Sequence, residues 1–176
     1  AFSYENVSRR KVERGTFTAY LKVAEGCDNA CTFCIIPTLR GAFRSRTIES
    51  VVREAEELAQ QGIKEISLIA QDLTNYGMDL YGEHRLPQLL TEVSKVEGIE
   101  WIRIHYAYPG YFTDELIDVI AKNPKVCNYI DMPLQHSEDA VLKRMRRPGR
   151  QRDSRELIAK IRDRIGQVAI RTSIIV

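Results

Sequence analysis

The chain has 176 residues, enough for one domain with a sizeable core, and its hydrophobic and charged fractions of 44% and 28% are typical of a folded domain. No apolar run is long enough to span a membrane. Residues 1–14 are polar and charged and lack the apolar segment of a secretory signal. We therefore expect a cytoplasmic protein without a membrane partner.

The net charge of +2 conceals a strongly basic segment at residues 141–165. This segment contains ten Lys or Arg residues and three Asp or Glu residues, so it carries a charge of +7. A basic surface of this kind can attract RNA or a ribonucleoprotein. The alternative is a solvated helix face that has no nucleic-acid partner.

The predicted elements alternate between strands and helices along the chain. The predicted strands are 16–24, 65–71, 101–106, 126–131 and 168–176. The predicted helices are 48–61, 87–96, 114–122, 138–145 and a last one from Asp153 to near Gly166. Thr47, Thr113 and Ser137 are the expected N-caps, and Asp153 with Glu156 forms an expected capping box.

This alternation predicts an α/β fold with a parallel sheet, open or closed into a barrel. The last predicted strand reaches Val176 with no helix after it, whereas parallel sheets need both faces covered. We therefore expect a parallel (β/α) partial barrel that is truncated after about five strands. In such folds cofactors bind at the C-terminal ends of the strands.

Three cysteines lie in one short run directly after the first predicted strand. Cys27, Cys31 and Cys34 follow the pattern Cys-x3-Cys-x2-Cys, and Gly26 and Gly41 bracket them and permit close approach of the backbone. Three thiolates can hold three corners of a cubane iron–sulfur cluster, for which four cysteines are usual. The remaining iron would stay open to a cofactor, as catalytic metal sites keep one position open.

Other uses of these cysteines fit less well. Disulfides need an oxidising compartment and leave one of three clustered cysteines unpaired. A zinc site needs a fourth ligand, and no histidine lies within twenty residues of Cys34. A redox pair of Cys31 and Cys34 leaves Cys27 unexplained. Cys127 stands apart in an apolar stretch and is expected to be a small buried residue.

Polar residues near strand ends are the candidate cofactor-binding residues. Arg171 and Ser173 share one face of the last strand, where an arginine is costly unless it meets an anion. Arg171 either binds a ligand carboxylate or forms a structural salt bridge with an acid inside the barrel. Gln71 either accepts a hydrogen bond from a ligand ammonium or caps a loop. Gln135 and His136 follow a proline turn and are expected at the mouth of the barrel.

Four stretches of the chain together resemble the radical S-adenosylmethionine (SAM) methylthiotransferases. They are Glu25–Pro37 with Arg40-Gly41, Ala70-Gln71-Asp72 with Tyr76-Gly77, His105–Pro109, and Pro133–His136 with residues 143–149. The cysteine run, with Phe33 before its last cysteine, resembles the radical SAM superfamily. The last three stretches resemble the subfamily that modifies ribosomal proteins, while the tRNA-modifying subfamily differs after Gln135.

The resemblance implies two cofactors, a 4Fe–4S cluster on the three cysteines and SAM on the open iron. An external electron donor would reduce the cluster, which then splits SAM to give a 5′-deoxyadenosyl radical. A further SAM would supply the methyl group that is carried on sulfur. Phe33 would pack near the adenine, or else serve as a plain core aromatic. Arg171 would meet the methionine carboxylate of SAM, and no residue is assigned a catalytic role.

The implied substrate is the β-carbon of an aspartate in a small-subunit ribosomal protein. Two alternatives stay open, a tRNA adenosine methylthiotransferase and a non-enzymatic iron–sulfur binding or electron-transfer module. Full-length members of the family resembled here carry an N-terminal domain with a second 4Fe–4S cluster and a C-terminal substrate-binding domain. Residues 1–15 are therefore expected to be a linker, and residues 16–176 an incomplete radical SAM core.

Overall fold

A computed structural model describes residues 10–147 and 151–176 of the chain. The strands are β1 (Thr18–Lys22), β2 (Ala24–Glu25), β3 (Arg44–Ser45), β4 (Glu65–Ile69), β5 (Trp101–Ile104), β6 (Val126–Asp131) and β7 (Ala169–Arg171). The helices are α1 (Ile36–Arg40), α2 (Ile48–Gln60), α3 (Met78–Tyr81), α4 (Leu86–Ser94), α5 (Asp114–Lys122), α6 (Asp139–Arg144) and α7 (Gln151–Ile165). Within these residues no helix is both long and apolar enough to cross a bilayer.

Five strands form one parallel sheet in the order β1-β4-β5-β6-β7. This order follows the chain, so every crossover moves in the same direction, as in the wall of a barrel. The short strands β2 and β3 pair antiparallel in a separate ribbon. The predicted parallel α/β fold, with about five strands of a partial barrel, is confirmed.

One face of the sheet carries a continuous apolar row. The strand register places Leu21 beside Leu68, Leu68 beside Ile104, Ile104 beside Ile130, and Ile130 beside Ile170. The first four of these side chains are at most 1% exposed. Burial of each such side chain stabilises the fold by about 1.5–3 kcal/mol. This row therefore locks the order and the register of the strands.

Amphipathic helices cover the sheet. Helix α2 contacts β1, α5 contacts β6, and neighbouring helices contact each other in the order α2, α4, α5, α7. The predicted caps of two of them are confirmed, because Thr47 Oγ1 accepts a hydrogen bond from Ser50 N and Thr113 Oγ1 accepts one from Leu116 N, both at 3.2 Å. Local sequence thus fixes where these helices begin.

Two other predicted helix starts are wrong. Helix α6 begins at Asp139 with Glu138, not Ser137, at its N-cap position, and no side chain makes a capping hydrogen bond there. Glu138 N instead donates to His136 Nδ1 at 2.9 Å. Helix α7 already includes Gln151, so Asp153 lies inside its first turn and the capping box with Glu156 does not form. Glu156 instead pairs with Arg152, one turn earlier on the exposed helix face.

Two predicted strands and one cysteine also differ from expectation. The first predicted strand divides at Val23, because β2 turns away from the sheet to pair with β3. The last strand, β7, ends at Arg171, and beyond it Gln135 and Ile174 form one isolated bridge. Cys127 is half-buried rather than buried, because it lies on the uncovered face of β6 near Arg103.

Candidate functional site

The cysteine loop, residues 26–41, begins at the C-terminal edge of the sheet. Gly26 has φ +84°, and a Cβ there would lie 2.2 Å from the carbonyl oxygen of Ala42. Only glycine fits this position, because any side chain would meet backbone. Gly41 has φ +75°, and its carbonyl accepts a hydrogen bond from Cys27 N at 3.2 Å. The two predicted bracketing glycines thus draw the ends of the loop together.

All three loop cysteines are free thiols in this structure. Cys27 is buried, and its sulfur accepts hydrogen bonds from both N and Nδ2 of Asn29 at 3.4 Å. Burial raises the pKa of the Cys27 thiol, while the Asn29 hydrogen bonds oppose that rise. Cys34 N donates to the Cys31 carbonyl at 3.1 Å, which tightens the loop between these two cysteines.

The donor set suits an iron–sulfur cluster better than a single ion. Within residues 10–147 and 151–176, no three His, Cys, Asp or Glu side chains surround one point where an ion could be held. A cubane cluster binds each cysteine through a different iron, so its thiolates need not converge on one point. Three thiols on one loop, with amide donors already aimed at one sulfur, match the soft ligands that such a cluster takes.

The buried carboxylate of Asp72 is hydrogen-bonded to the cysteine loop. Asp72 is 3% exposed and accepts hydrogen bonds from Asn29 Nδ2 at 2.8 Å and Thr74 Oγ1 at 2.9 Å. Burial raises the pKa of Asp72, and these two hydrogen bonds partly offset that effect. Thr74 Oγ1 also accepts a hydrogen bond from Tyr108 N at 2.9 Å. The chain Cys27–Asn29–Asp72–Thr74–Tyr108 therefore joins the cysteine loop to the ends of β4 and β5.

Arg147 contacts the cysteine loop from the far end of the sheet. Its Nη1 lies 3.9 Å from Cys31 Sγ, and its Nη2 donates to the Pro133 carbonyl at 2.7 Å. Thr32 N also donates to the Met145 carbonyl at 3.1 Å. In the sequence, Arg147 is one of ten cations in the basic segment at residues 141–165 and is not among the predicted cofactor-binding residues. Only the folded chain shows which cation of that stretch reaches a cysteine.

Three predicted cofactor-binding residues, Gln71, Gln135 and Ser173, take part in hydrogen bonds with the backbone around the site. Gln71 Oε1 accepts a hydrogen bond from Gly26 N at 2.9 Å, which is the loop-capping role left open by the sequence. Gln135 has φ +74°, and its N donates to the Ser173 carbonyl at 2.9 Å. Gln135 and Ser173 therefore lie together beside the ends of β6 and β7. Contact of all three side chains with a cofactor stays a prediction.

The other two predicted residues, Phe33 and Arg171, remain accessible. Phe33 is 46% exposed, so the alternative of a plain core aromatic is wrong for the described chain. Arg171 Nη1 donates to Asp131 Oδ2 at 3.0 Å, which is the salt bridge that the sequence left as an alternative. Its side chain is still 59% exposed, and a guanidinium has five N–H donors. The salt bridge therefore leaves it able to meet an anion.

Asp131 is the centre of a polar group on the uncovered face of the sheet. It is 2% exposed and also lies 3.6 Å from Nδ1 of His105. The His105 ring contacts Tyr20 and Tyr129, with centroids 6.4 and 6.0 Å away. Aromatic rings and paired charges thus line this face near its C-terminal edge. Such a surface can bind a ligand that is both polar and aromatic.

Comparison with known proteins agrees with this geometry. The model of the radical SAM superfamily matches residues 21–176. A protein of Desulfitobacterium hafniense named ribosomal protein uS12 methylthiotransferase RimO is 54% identical over 99% of the chain. A protein of the same name from Clostridium kluyveri is 53% identical over 97% of it. The chain spans 39% and 38% of the length of these relatives.

Solved structures share the fold at low sequence identity. The radical SAM methyltransferase TsrM of Kitasatospora setae superposes with a TM-score of 0.69 at 19% identity, over 89% of this chain and 30% of that one. The cobalamin-dependent SAM radical enzyme OxsB superposes with a TM-score of 0.67 at 15% identity, over 89% of this chain and 23% of that one. With the family match over residues 21–176, these findings show that the chain belongs to the radical SAM superfamily.

Proposed function

We propose that the chain is the radical SAM core of an enzyme that attaches a methylthio group to the β-carbon of an aspartate in a small-subunit ribosomal protein. One observation carries the proposal. The cysteine loop begins at the C-terminal edge of the sheet in a chain 54% identical to a protein named ribosomal protein uS12 methylthiotransferase. The tRNA alternative has no comparable support among these relatives.

The proposed domain boundaries follow the sequence analysis. Residues 16–176 form the radical core, and residues 1–15 form a linker from an N-terminal domain. Residues 1–9 lie outside the described part of the chain, so this part of the proposal rests on the sequence. The relatives are more than twice as long as the matched segment, which leaves length for a domain that holds a second 4Fe–4S cluster.

Cys27, Cys31 and Cys34 would hold a 4Fe–4S cluster with one open iron. When bound, this cluster supplies the electron for reductive cleavage of the SAM sulfonium. The chain's own residues prepare the site. Asn29 donates two hydrogen bonds to the Cys27 sulfur, and Gly26 permits the backbone approach that fixes the loop. Thiolate charge is stabilised by such N–H donors.

The predicted SAM contacts lie around the same edge of the sheet. Arg171 would bind the methionine carboxylate with the donors that Asp131 does not use. Gln135 and Ser173 lie beside it. Gln71 is hydrogen-bonded to Gly26, at the start of the cysteine loop. Phe33 would stack near the adenine. Each of these roles is part of the proposal and is tested by SAM affinity in the corresponding variants.

The proposed partners are a ribosomal protein or the ribosome, and an external one-electron donor. Contact with RNA through the basic segment, residues 141–165, has less support than these two partners. Two cations of α7 are already paired with acids of α5, since Lys160 and Arg164 contact Asp114, and Arg164 also contacts Asp118. Exposed cations such as Arg155 on α7 carry what remains of the positive surface.

The cofactor part of the proposal is tested by anaerobic reconstitution with iron and sulfide. Wild-type protein should bind iron and, after reduction with SAM present, produce 5′-deoxyadenosine that is detected by mass. Cys27→Ala, Cys31→Ala and Cys34→Ala should each abolish the product, because an open-iron cluster needs all three thiolates. Cys127→Ala is the matched control and should retain product formation, since Cys127 is a free cysteine outside the loop.

The substrate is tested separately with the full-length protein. Purified small-subunit ribosomal protein and unmodified tRNA are incubated with the reduced enzyme and SAM. Each product is then analysed by mass for a methylthio group. Methylthiolation of an aspartate in the ribosomal protein supports the proposal, and modification of tRNA alone overturns it. A cluster that forms but never yields 5′-deoxyadenosine in the full-length protein supports an electron-transfer module instead.

A further inference from the structure

Arg147 is held in one orientation by three different contacts. Its guanidinium lies over the Tyr108 ring, 4.5 Å from the centroid, while Nη2 donates to the Pro133 carbonyl at 2.7 Å. The remaining fork of the group, Nη1, lies 3.9 Å from Cys31 Sγ. A planar guanidinium can make such contacts at once, whereas a lysine ammonium is a single point charge.

The surroundings of Arg147 are partly buried. Tyr108 is 5% exposed, and its hydroxyl has no hydrogen-bond partner among the described residues. Burial raises the pKa of Tyr108 to about 12, so this hydroxyl remains a neutral donor near pH 7. Electrostatic interactions between a cation and a thiolate are stronger in such a place than on an open surface.

The arginine of the cysteine loop itself, Arg40, pairs with a different group. Arg40 Nη1 lies 3.4 Å from Glu25 Oε1, whose side chain is 3% exposed. Arg147 instead comes from the opposite end of the sheet and directs a charge at a proposed cluster ligand. Residues 144 and 145 accept hydrogen bonds from Thr32 through their carbonyls, so the whole segment before Arg147 is tied to the loop.

We propose that Arg147 is a positioning residue that acts through Cys31 and makes the bound cluster easier to reduce. The inference rests on the cluster assigned under the proposed function. Reduction adds one electron from the external donor, breaks no bond and takes up no proton, so the cluster becomes more negative by one charge. A fixed guanidinium beside one ligand stabilises that added charge.

The test is a redox titration of the reconstituted full-length protein. The potential is followed through the EPR signal that SAM perturbs, which separates this cluster from any second one. Arg147→Met should lower the equilibrium constant for reduction roughly tenfold, or about 59 mV for one electron. Arg147→Lys should shift the potential less, because it keeps the charge and loses the fork. Lys143→Met is the matched control, because it removes a nearby exposed cation of α6 and should leave the potential unchanged.

Two results overturn the inference. One is an unchanged potential in Arg147→Met, which would make the contact with Cys31 merely structural. The other is loss of iron from both the Met and the Lys variants with unchanged circular dichroism, which would show that Arg147 holds the cluster through the geometry of its guanidinium rather than tuning its reduction through charge. If only the Met variant loses iron, the Lys variant decides: a potential lower than that of the wild type by less than about 59 mV supports the inference. Absence of the SAM-sensitive signal in the wild type would instead contradict the proposed function.

Discussion

The two faces of the parallel sheet are made by alternating residues of the same strands, yet they differ in kind. On the helix-covered face the register aligns Leu21, Leu68 and Ile104. One position earlier on each strand, it aligns Tyr20, Ser67 and Arg103 on the opposite face. Parallel sheets commonly bury both faces with apolar residues. Here one face stabilises the fold through apolar burial, and the other carries polar, charged and aromatic side chains.

The charged side chains on the uncovered face are stabilised because they form ion pairs with one another. Arg103 Nε donates to Glu65 Oε1 at 2.7 Å, and its guanidinium lies 5.0 Å from the centre of the Tyr129 ring. Asp131 is paired with Arg171 in the same way, farther along the strands. Charges inside a barrel are tolerated when each has a partner. The difference between the faces therefore separates residues that hold the fold from residues that are available to a ligand.

The largest expected effect comes from the covered face. Ile104→Ala should lower the free energy of unfolding by about 2–5 kcal/mol, because it leaves a cavity in the middle of the apolar row. Trp101→Ala, on the same strand and 51% exposed, should cost less although it removes more atoms. Urea denaturation of the two variants measures both costs. Equal costs would contradict the conclusion that the helix-covered face contributes more to stability than the opposite face.

A single methyl group added at Gly26, at the C-terminal edge of the sheet, should also lower the stability of the fold. Gly26→Ala should destabilise the fold by roughly 3 kcal/mol and impair iron binding, because the new Cβ would overlap the Ala42 carbonyl. Gly15→Ala is the matched control, since Gly15 has the same φ of +84° but no atom within 4 Å of the added Cβ. It should cost only about 1 kcal/mol, from the left-handed backbone alone. Denaturant midpoints and iron content after reconstitution distinguish the two.

A smaller effect is expected from the pH dependence of Asp72. Its pKa is raised by burial in the folded chain, so its contribution to stability is fully present below the unfolded pKa and is lost as pH rises through the folded value. Asp72→Asn should remove this loss. The variant should gain stability relative to the wild type as pH rises above about 4.

Urea midpoints at a series of pH values provide the measurement for Asp72. Asp114→Asn is the control of opposite sign, because the hydrogen bond from Lys160 lowers the pKa of Asp114. A lowered pKa contributes stability above the unfolded value and loses it as the pH falls. A parallel pH response of the two variants would show that burial of Asp72 has no influence.

The smallest effect is expected on the outer surface of α7. Arg152 pairs with Glu156 at 2.7 Å, but both side chains are largely exposed. Water and salt screen such a pair. Arg152→Ala should therefore leave the denaturation midpoint within error of the wild type, and its salt dependence should be unchanged. A clear loss would mean that α7 is held by its exposed charges and not by Ile161 and Ile165, which are buried against the core.

The sequence by itself determined the elements whose cause is local. The alternation of strands and helices along the chain predicted the parallel sheet, and hydroxyl caps at Thr47 and Thr113 set the starts of two helices. The position of the cysteines directly after the first predicted strand located their loop at the C-terminal edge of the sheet, and the two glycines predicted the close approach of its ends. These features follow from side-chain periodicity, capping and backbone conformation, which act over a few residues.

Only the tertiary structure decided which distant groups meet. Helix α6 begins after Glu138 and not after Ser137, and Arg171 pairs with Asp131 on the neighbouring strand. Cys31 is reached by Arg147, more than one hundred residues later in the chain. Sequence gives the types of these residues but not their distances, because the contacts depend on how separate loops leave neighbouring strands. Packing of the whole sheet fixes those exits, and with them the surroundings of each thiol.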